Sequence, residues 1–294
     1  MNENPLKKYH LHKDNYSKLQ LDINASKLYC EKNIQHCFKP HVHTFFQVIW
    51  FKDKGKHFVD YVEYLHPKNS IFFISEGQVH YFCKDSENDG YLFHFNDFFL
   101  NKEEKDSFNL IQYKIFNESG QPFIILSEDK IHDFEYLTKK LINEIETKKR
   151  GYKEQIYHYF QVFLLNLERL KWSQSDQEID LNDLKIDYNF ELVMRFKKMV
   201  IESKNEFKTV SYFSESLGIS DKTLTNISKK YLHETPANFI HKRKVLEAKR
   251  LLSNTNLSIK EIGYQLGFEE ATYFTKYFKK HSSLTPKEFQ KQFL

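Results

Sequence analysis

The 294-residue sequence predicts a two-domain α+β protein: an N-terminal β-barrel or jelly roll with helices behind it, then an all-α domain of two helix-turn-helix units. Three observations carry this. Short β-branched and aromatic runs separated by turn signals fill residues 27–95. Apolar residues recur at helical spacing from about Lys130 onward. Past residue 190 the chain repeats itself at a spacing of 49–50 residues.

The barrel strands are read at Phe45–Phe51, Lys56–Val62, Ser70–Ser75 and Tyr91–Phe95. Their turns are Lys52–Gly55, His66–Asn69, Glu76-Gly77 and Ser86–Gly90. Within His57–Val62, strand alternation sends Phe58, Asp60 and Val62 one way, and Val59 and Tyr61 the other. Many short strands at this spacing fit a small closed or double-sheet fold.

Two helices follow. Ile131, Phe134, Leu137, Leu141, Ile142 and Ile145 define the first. The second runs from about Tyr152 to Trp172, with Ile156, Phe160, Phe163, Leu167 and Leu170 spaced 4, 3, 4, 3. That seam is two heptads long, short of the three to four of a coiled coil. It serves either packing on the chain's own barrel or contact with a second copy. The boundaries expected are 1–130 for the barrel, 131–175 for a helical connector, 176–189 for a polar, acidic linker and 190–294 for the helical domain.

The repeat is specific. Thr209-Val210, Phe213 and Leu217-Gly218-Ile219 match Ser258-Ile259, Ile262 and Leu266-Gly267-Phe268 at an offset of 49. Leu224-Thr225, Lys229-Lys230, Thr235-Pro236 and Phe239 match Phe274-Thr275, Lys279-Lys280, Thr285-Pro286 and Phe289 at 50. Each unit reads as helix, glycine turn, helix. Ser258 and Glu261 have the spacing of a capping box, and Gly267 stands where the turn needs positive φ. The second helix of each unit turns one polar face outward: Lys222, Thr225, Asn226 and Lys229 in the first, Thr272, Thr275, Lys276 and Lys279 in the second. A single such face is ordinary helix surface. Two at a fixed offset are a pattern.

Charge agrees. Residues 185–294 hold 20 Lys+Arg and 12 Asp+Glu, net +8, whereas residues 1–184 are net −4. The polyanion partner expected is double-stranded DNA. The excess of 28 Phe and 18 Tyr, beside only four Ala, follows A/T-rich codon usage and carries little functional weight. No apolar run approaches the ~18–20 residues that span a bilayer. The N-terminus has no apolar stretch of a secretory signal, and three cysteines make no disulfide framework or CxxC pair. A cytoplasmic protein with no membrane partner is expected.

Ile262, Gly267-Phe268, Tyr273-Phe274, Phe278-Lys279-Lys280, Thr285-Pro286 and Phe289, with Ala248, Leu251 and Leu252, resemble the AraC/XylS family of bacterial transcription regulators. The resemblance covers about the last 100 residues. It implies two helix-turn-helix units joined by a long helix at about Pro236–Ser253, whose recognition helices enter successive major grooves about 34 Å apart. The chain departs from the family pattern at Ser214 and Gly263, where a small Ala is usual, and at His233 and Ser283, each replacing a Gly. It also has Lys244 for the usual Arg, with Arg243 beside it. Gly263 lowers helix propensity by roughly 1 kcal/mol relative to Ala.

Family members often carry a cupin-like barrel, and His41-Val42-His43-Thr44-Phe45-Phe46-Gln47 with Gly77-Gln78-Val79-His80 resembles the two cupin motifs. A metal-binding cupin would use two His, a Glu and a third His, here His41, His43, Gln47 and His80. Gln47 is a poor ligand where a carboxylate belongs. The four are therefore read as lining an effector pocket, with no metal and no cofactor expected. Trp50, His57, Asp60 and His94 are further polar candidates for the barrel interior.

The function read from the sequence is a DNA-binding transcription regulator, not an enzyme, controlled by a small-molecule effector. A homodimer is expected, with the Ile156–Leu170 helix as its first candidate surface, and RNA polymerase is a partner if the protein is an activator. The alternatives are a cupin-type metal enzyme, or an architectural DNA-binding protein with an inert dimerising barrel.

Overall fold

The computed structural model describes residues 8–11, 19–96, 99, 115–116, 121–174, 188–203, 208–232, 234–254 and 257–292. Most of the expected 176–189 linker and the departure at His233 lie outside them. The chain divides into two compact units, Lys7–Asp183 and, at the C-terminal end, Leu184–Leu294.

The N-terminal unit is built on two antiparallel sheets. The larger contains β2 (Leu21–Ala25), β4 (Phe46–Phe51), β7 (Ser70–Ile74), β9 (Gly90–Phe95) and β10 (Phe123–Ile125), in the order β10-β7-β4-β9-β2. The smaller contains β5 (Gly55–Val59), β6 (Val62–His66) and β8 (His80–Phe82), in the order β6-β5-β8. A short parallel pair joins β1 (Lys8–Tyr9) to β3 (Val42–His43). Two short helices, α1 (Ser26–Lys32) and α2 (Ile34–Cys37), follow β2.

The central strand β4 explains the uninterrupted apolar run in the sequence, because both of its faces are buried. Ile49 and Phe51 join Phe72, Ile74 and Leu92, together with Val59 and Phe82 of the smaller sheet, in one core. Val48 and Trp50 face the other way, into a second core with Phe93, Phe95, Phe160 and Phe163. Two helices supply that second core: α3 (Glu128–Thr147) and α4 (Tyr152–Ser173).

The seam of α4 is thereby taken up inside the chain. Ile156, Phe160, Phe163 and Leu167 are fully buried, and Leu170 packs at the margin of the same core. This corrects the expectation that the helix offers a dimer surface. A heptad pattern records only that one helix face is apolar, and here the large sheet covers it.

A second correction concerns residues 56–62. They are not one strand but the middle of the β5–β6 hairpin, in which Val59 faces Val62. Asp60 and Tyr61 form its two-residue turn with φ of 50° and 63°, the geometry of a type I′ turn. The sequence lacks the Asn-Gly signature of that turn. Tertiary bonds hold it instead: the Asp60 carboxylate accepts from the Val79 amide at 3.1 Å and from Gln78 Nε2 at 3.0 Å. Strands β2, β8 and β10 were likewise not read from the sequence, being short and defined mainly by their partners.

The C-terminal unit is helical throughout its described residues. Helix α5 (Tyr188–Glu202) precedes the first helix-turn-helix, α6 (Val210–Ser216) and α7 (Asp221–Leu232). The connecting helix α8 (Pro236–Asn254) leads to the second, α9 (Ile259–Gln265) and α10 (Ala271–Ser282), and α11 (Pro286–Gln290) closes the unit. Helix starts follow local rules. Ser258 and Glu261 form the expected capping box, and Thr285 and Glu288 form another with Pro286 in the first turn. Gly218 and Gly267, 49 residues apart, both adopt positive φ (69° and 76°) in the turns. Among the described residues no helix is long and apolar enough to cross a membrane.

Candidate functional site

Helices α7 and α10 are amphipathic for the same reason. In α7, Leu224 and Ile227 are buried while Lys222, Asn226 and Lys229 are exposed and Thr225 is half-buried. In α10, Phe274 and Phe278 are buried while Thr272, Lys276 and Lys279 are exposed and Thr275 is half-buried. The eight side chains read from the sequence therefore lie on or beside the outward faces of the two second helices. They are not equally available. The Thr275 hydroxyl donates to the Ala271 carbonyl at 2.9 Å, and the Thr272 hydroxyl donates to the Glu270 carboxylate at 3.2 Å. The sequence reading missed Tyr273, which is 61% exposed on α10. Its place in an apolar-looking Tyr-Phe pair hid it.

Each second helix is clamped to the first by a different device. In the first unit Ser214 is buried on α6, and its hydroxyl donates to the Asp221 carboxylate, which also accepts from Ser211 at 2.7 Å. Those hydroxyls hold the Asp221 carboxyl below its ordinary pKa. In the second unit Gly263 is buried against Phe274, and a Cβ there would meet the Phe274 Cβ at 3.2 Å. Tyr277 is half-buried on the inward side of α10, and its hydroxyl is hydrogen-bonded to His241 Nδ1 of α8 at 2.8 Å. Lys244 of α8 stands 4.0 Å from the Phe268 ring centre, and burial lowers its pKa.

In the N-terminal unit the strands gather a histidine cluster. His41 and His80 form a backbone bridge, and His43 lies two residues further on β3. One ligand-type atom from each of His41, His43 and His80 lies within 4.8 Å of the others, and all three residues are buried. His43 Nε2 and His80 Nε2 are 2.7 Å apart, and His80 Nδ1 is 3.3 Å from His57 Nε2. Gln47, read with these three, is turned differently. Its Nε2 donates to His94 Nε2 at 2.8 Å, so Gln47 adjoins the cluster without joining it. Tyr9 covers one side, its ring centre 5.4 Å from His41 and 5.6 Å from His43.

Burial keeps these imidazoles neutral. It pulls His41 down to about 4 and His94 to about 3. It also holds His43, His57 and His80 well below the usual histidine value, with neighbouring histidines adding to the effect. His43 Nδ1, His57 Nδ1 and Gln47 Oε1 are buried without a hydrogen-bond partner among the described residues. Asp60 belongs to the hairpin turn rather than to this interior, and Trp50 faces the helix-side core. His66, which also packs in the buried interior, was read only as a turn residue; its ring stacks on Phe51 at 4.4 Å.

A helix-turn-helix domain model matches residues 213–292. The probable transcription factor PqrA of Proteus vulgaris is 32% identical over 87 residues, covering 30% of this chain and 71% of that protein. The histidine kinase P4 of Formosa agariphila is 31% identical over 165 residues, 52% of this chain but 12% of its own length. The uncharacterized HTH-type transcriptional regulator YdiP of Escherichia coli K12 is 29% identical over 119 residues, 36% of this chain and 39% of its own length. The chain thus spans well under half of these last two relatives. The duplicated helix-turn-helix unit and the domain match together define an AraC-type helix-turn-helix domain. The chain belongs to the AraC/XylS family of transcription regulators through this C-terminal domain.

Proposed function

We propose that this chain is a sequence-specific regulator that binds double-stranded DNA with residues 190–294 and is controlled by an effector held in residues 1–130. Residues 131–175 act as a helical connector and 176–189 as the linker. The observation that carries this is the pair of equivalent outward faces on α7 and α10, each hydrogen-bonding and cationic, within a unit of net charge +8. A helix of this kind fits the B-DNA major groove, where Thr, Asn and Lys meet base edges and phosphates.

Two copies on paired sites would gain affinity through effective concentration. With the α4 seam inside the chain's own core, another surface has to make that contact. An activator would in addition contact RNA polymerase.

The test is to sequence duplex fragments selected by the purified full chain. Two conserved elements about one helical turn apart, roughly 10–10.5 base pairs, are expected for each bound copy. Lys276→Ala and Thr272→Ala should relax the sequence at particular positions. Lys279→Ala should weaken binding across sequences and reduce the salt slope by about 1. Selection that enriches no sequence overturns the proposal.

A further inference from the structure

We propose that the effector of the N-terminal unit is a late first-row divalent transition-metal ion, held by His41, His43 and His80 with no carboxylate in the set. The inference rests on the reading of the chain as an effector-controlled DNA-binding regulator, and it names that effector's chemistry.

Four observations carry it. The first is convergence: three buried imidazoles, from His43 of β3, His80 of β8 and the bridge residue His41 beside them, meet with their ligand atoms within 4.8 Å. Around a tetrahedral ion with metal–nitrogen bonds of 2.0–2.1 Å, such nitrogens stand roughly 3.3 Å apart. The 2.7 Å gap between His43 Nε2 and His80 Nε2 would widen modestly to admit the ion.

The second is that the outer supports of two ligands are already built. His41 Nδ1 is 2.8 Å from the Lys39 carbonyl, which can only accept, so the proton is on Nδ1 and Nε2 keeps its lone pair. His80 Nδ1 faces His57 Nε2 at 3.3 Å. With the proton on His80 Nδ1 and donated to His57, His80 Nε2 is free to bind. Partners of this kind, holding the remote nitrogen, fix the tautomer and ring orientation of metal-ligating histidines.

The third is that two of the ligand atoms point at one spot. His43 Nε2 and His80 Nε2 face each other at 2.7 Å, bridged by one shared proton. An ion takes the place of that proton by accepting both lone pairs, with the His43 ring proton then on Nδ1.

The fourth concerns which ligand fits. The imidazoles touch one another directly, which suits an ion better than an organic molecule. The adjoining polar side chain, Gln47, is a neutral amide already engaged with His94. A neutral three-nitrogen set favours ions such as Zn2+, Co2+, Ni2+ or Cu2+ over Mg2+ and Ca2+, which want oxygen ligands. It also leaves the double positive charge uncompensated in the interior, a large electrostatic difference between the loaded and the empty unit.

The experiment uses the full chain, stripped with a chelator and titrated with Co2+ and Zn2+, following visible cobalt absorption and ion uptake by dialysis. One ion per chain is expected, with no uptake of Mg2+. His43→Ala and His80→Ala should abolish stoichiometric uptake. His57→Gln should weaken it by about 10–100-fold, and Gln47→Ala should leave it unchanged. Affinity for the selected DNA should differ at least about fivefold between loaded and empty protein.

The wild-type titration requires no variant to fold, and no stoichiometric uptake by wild type overturns the site. Uptake that persists in the His43→Ala, His80→Ala double variant overturns its location. Uptake without any change in DNA affinity overturns the effector role. If no DNA is selected in either state, the regulator reading fails while the titration still decides the ion site.

Discussion

Ser214 and Gly263 occupy the same place in the two halves of the duplication, and the packing around each explains its size. Ser214 is small enough to be buried and polar enough to bond Asp221. Gly263 admits Phe274, whose ring and Cβ stand 3.2–3.3 Å from where a Cβ would be. The lost helix propensity at Gly263 thus comes with a close approach of α9 to α10 that a larger residue would prevent. Gly263→Val should destabilise the C-terminal unit by about 1–3 kcal/mol through overpacking, measured as a lowered denaturation midpoint. An unchanged midpoint would show that the two helices can separate freely.

The buried histidines give a second residue-scale outcome. Their folded pKa values lie below the unfolded value near 6.5, so the unfolded chain binds more protons as the medium turns acid. Stability is full above about pH 6.5 and falls as pH drops toward the folded values, about 4 for His41 and about 3 for His94. Each such histidine can remove up to about 1.4 kcal/mol per pH unit in that window. Melting of the metal-stripped chain at pH 7.5, 6 and 5 should show a falling transition. A flat profile would mean that these imidazoles are solvated.

Among the elements, α4 shows how far a periodic pattern reaches. The spacing of Ile156, Phe160, Phe163 and Leu167 determines that one face is buried, but not against what. Phe163 lies 4.6 Å from Phe93 and 5.3 Å from Phe134, ring centre to ring centre. Phe163→Ala should therefore destabilise the N-terminal unit by about 3–5 kcal/mol, seen in its unfolding curve, and this loss should not depend on protein concentration. A concentration-dependent loss would return the helix to an intermolecular role. The β5–β6 hairpin was illegible for a related reason. Tyr61 stands where a type I′ turn usually has glycine, so the local signal is missing, and the bonds from Gln78 and Val79 that hold Asp60 come from 18 and 19 residues away.

For the whole molecule, the two compact units imply separable behaviour. A fragment comprising residues 184–294 should fold and retain DNA binding while losing any response to an effector, checked by circular dichroism and titration with selected duplex. A fragment that folds but ignores DNA would sink the assignment of α7 and α10. The net charge supports the same division. A value of +4 over 294 residues says little, whereas +8 confined to residues 185–294 supports the proposed polyanion-binding role of that unit.

The sequence by itself determined the duplication, the capping boxes, the glycine turns and the outward faces of α7 and α10. These depend on residues within a few positions of one another, where helix geometry leaves little choice. Only the tertiary structure decided which histidines meet. His41 and His43 reach His80, and through it His57, by pairing of segments far apart in the sequence. One turned amide separates Gln47 from the cluster that its spacing would have placed it in.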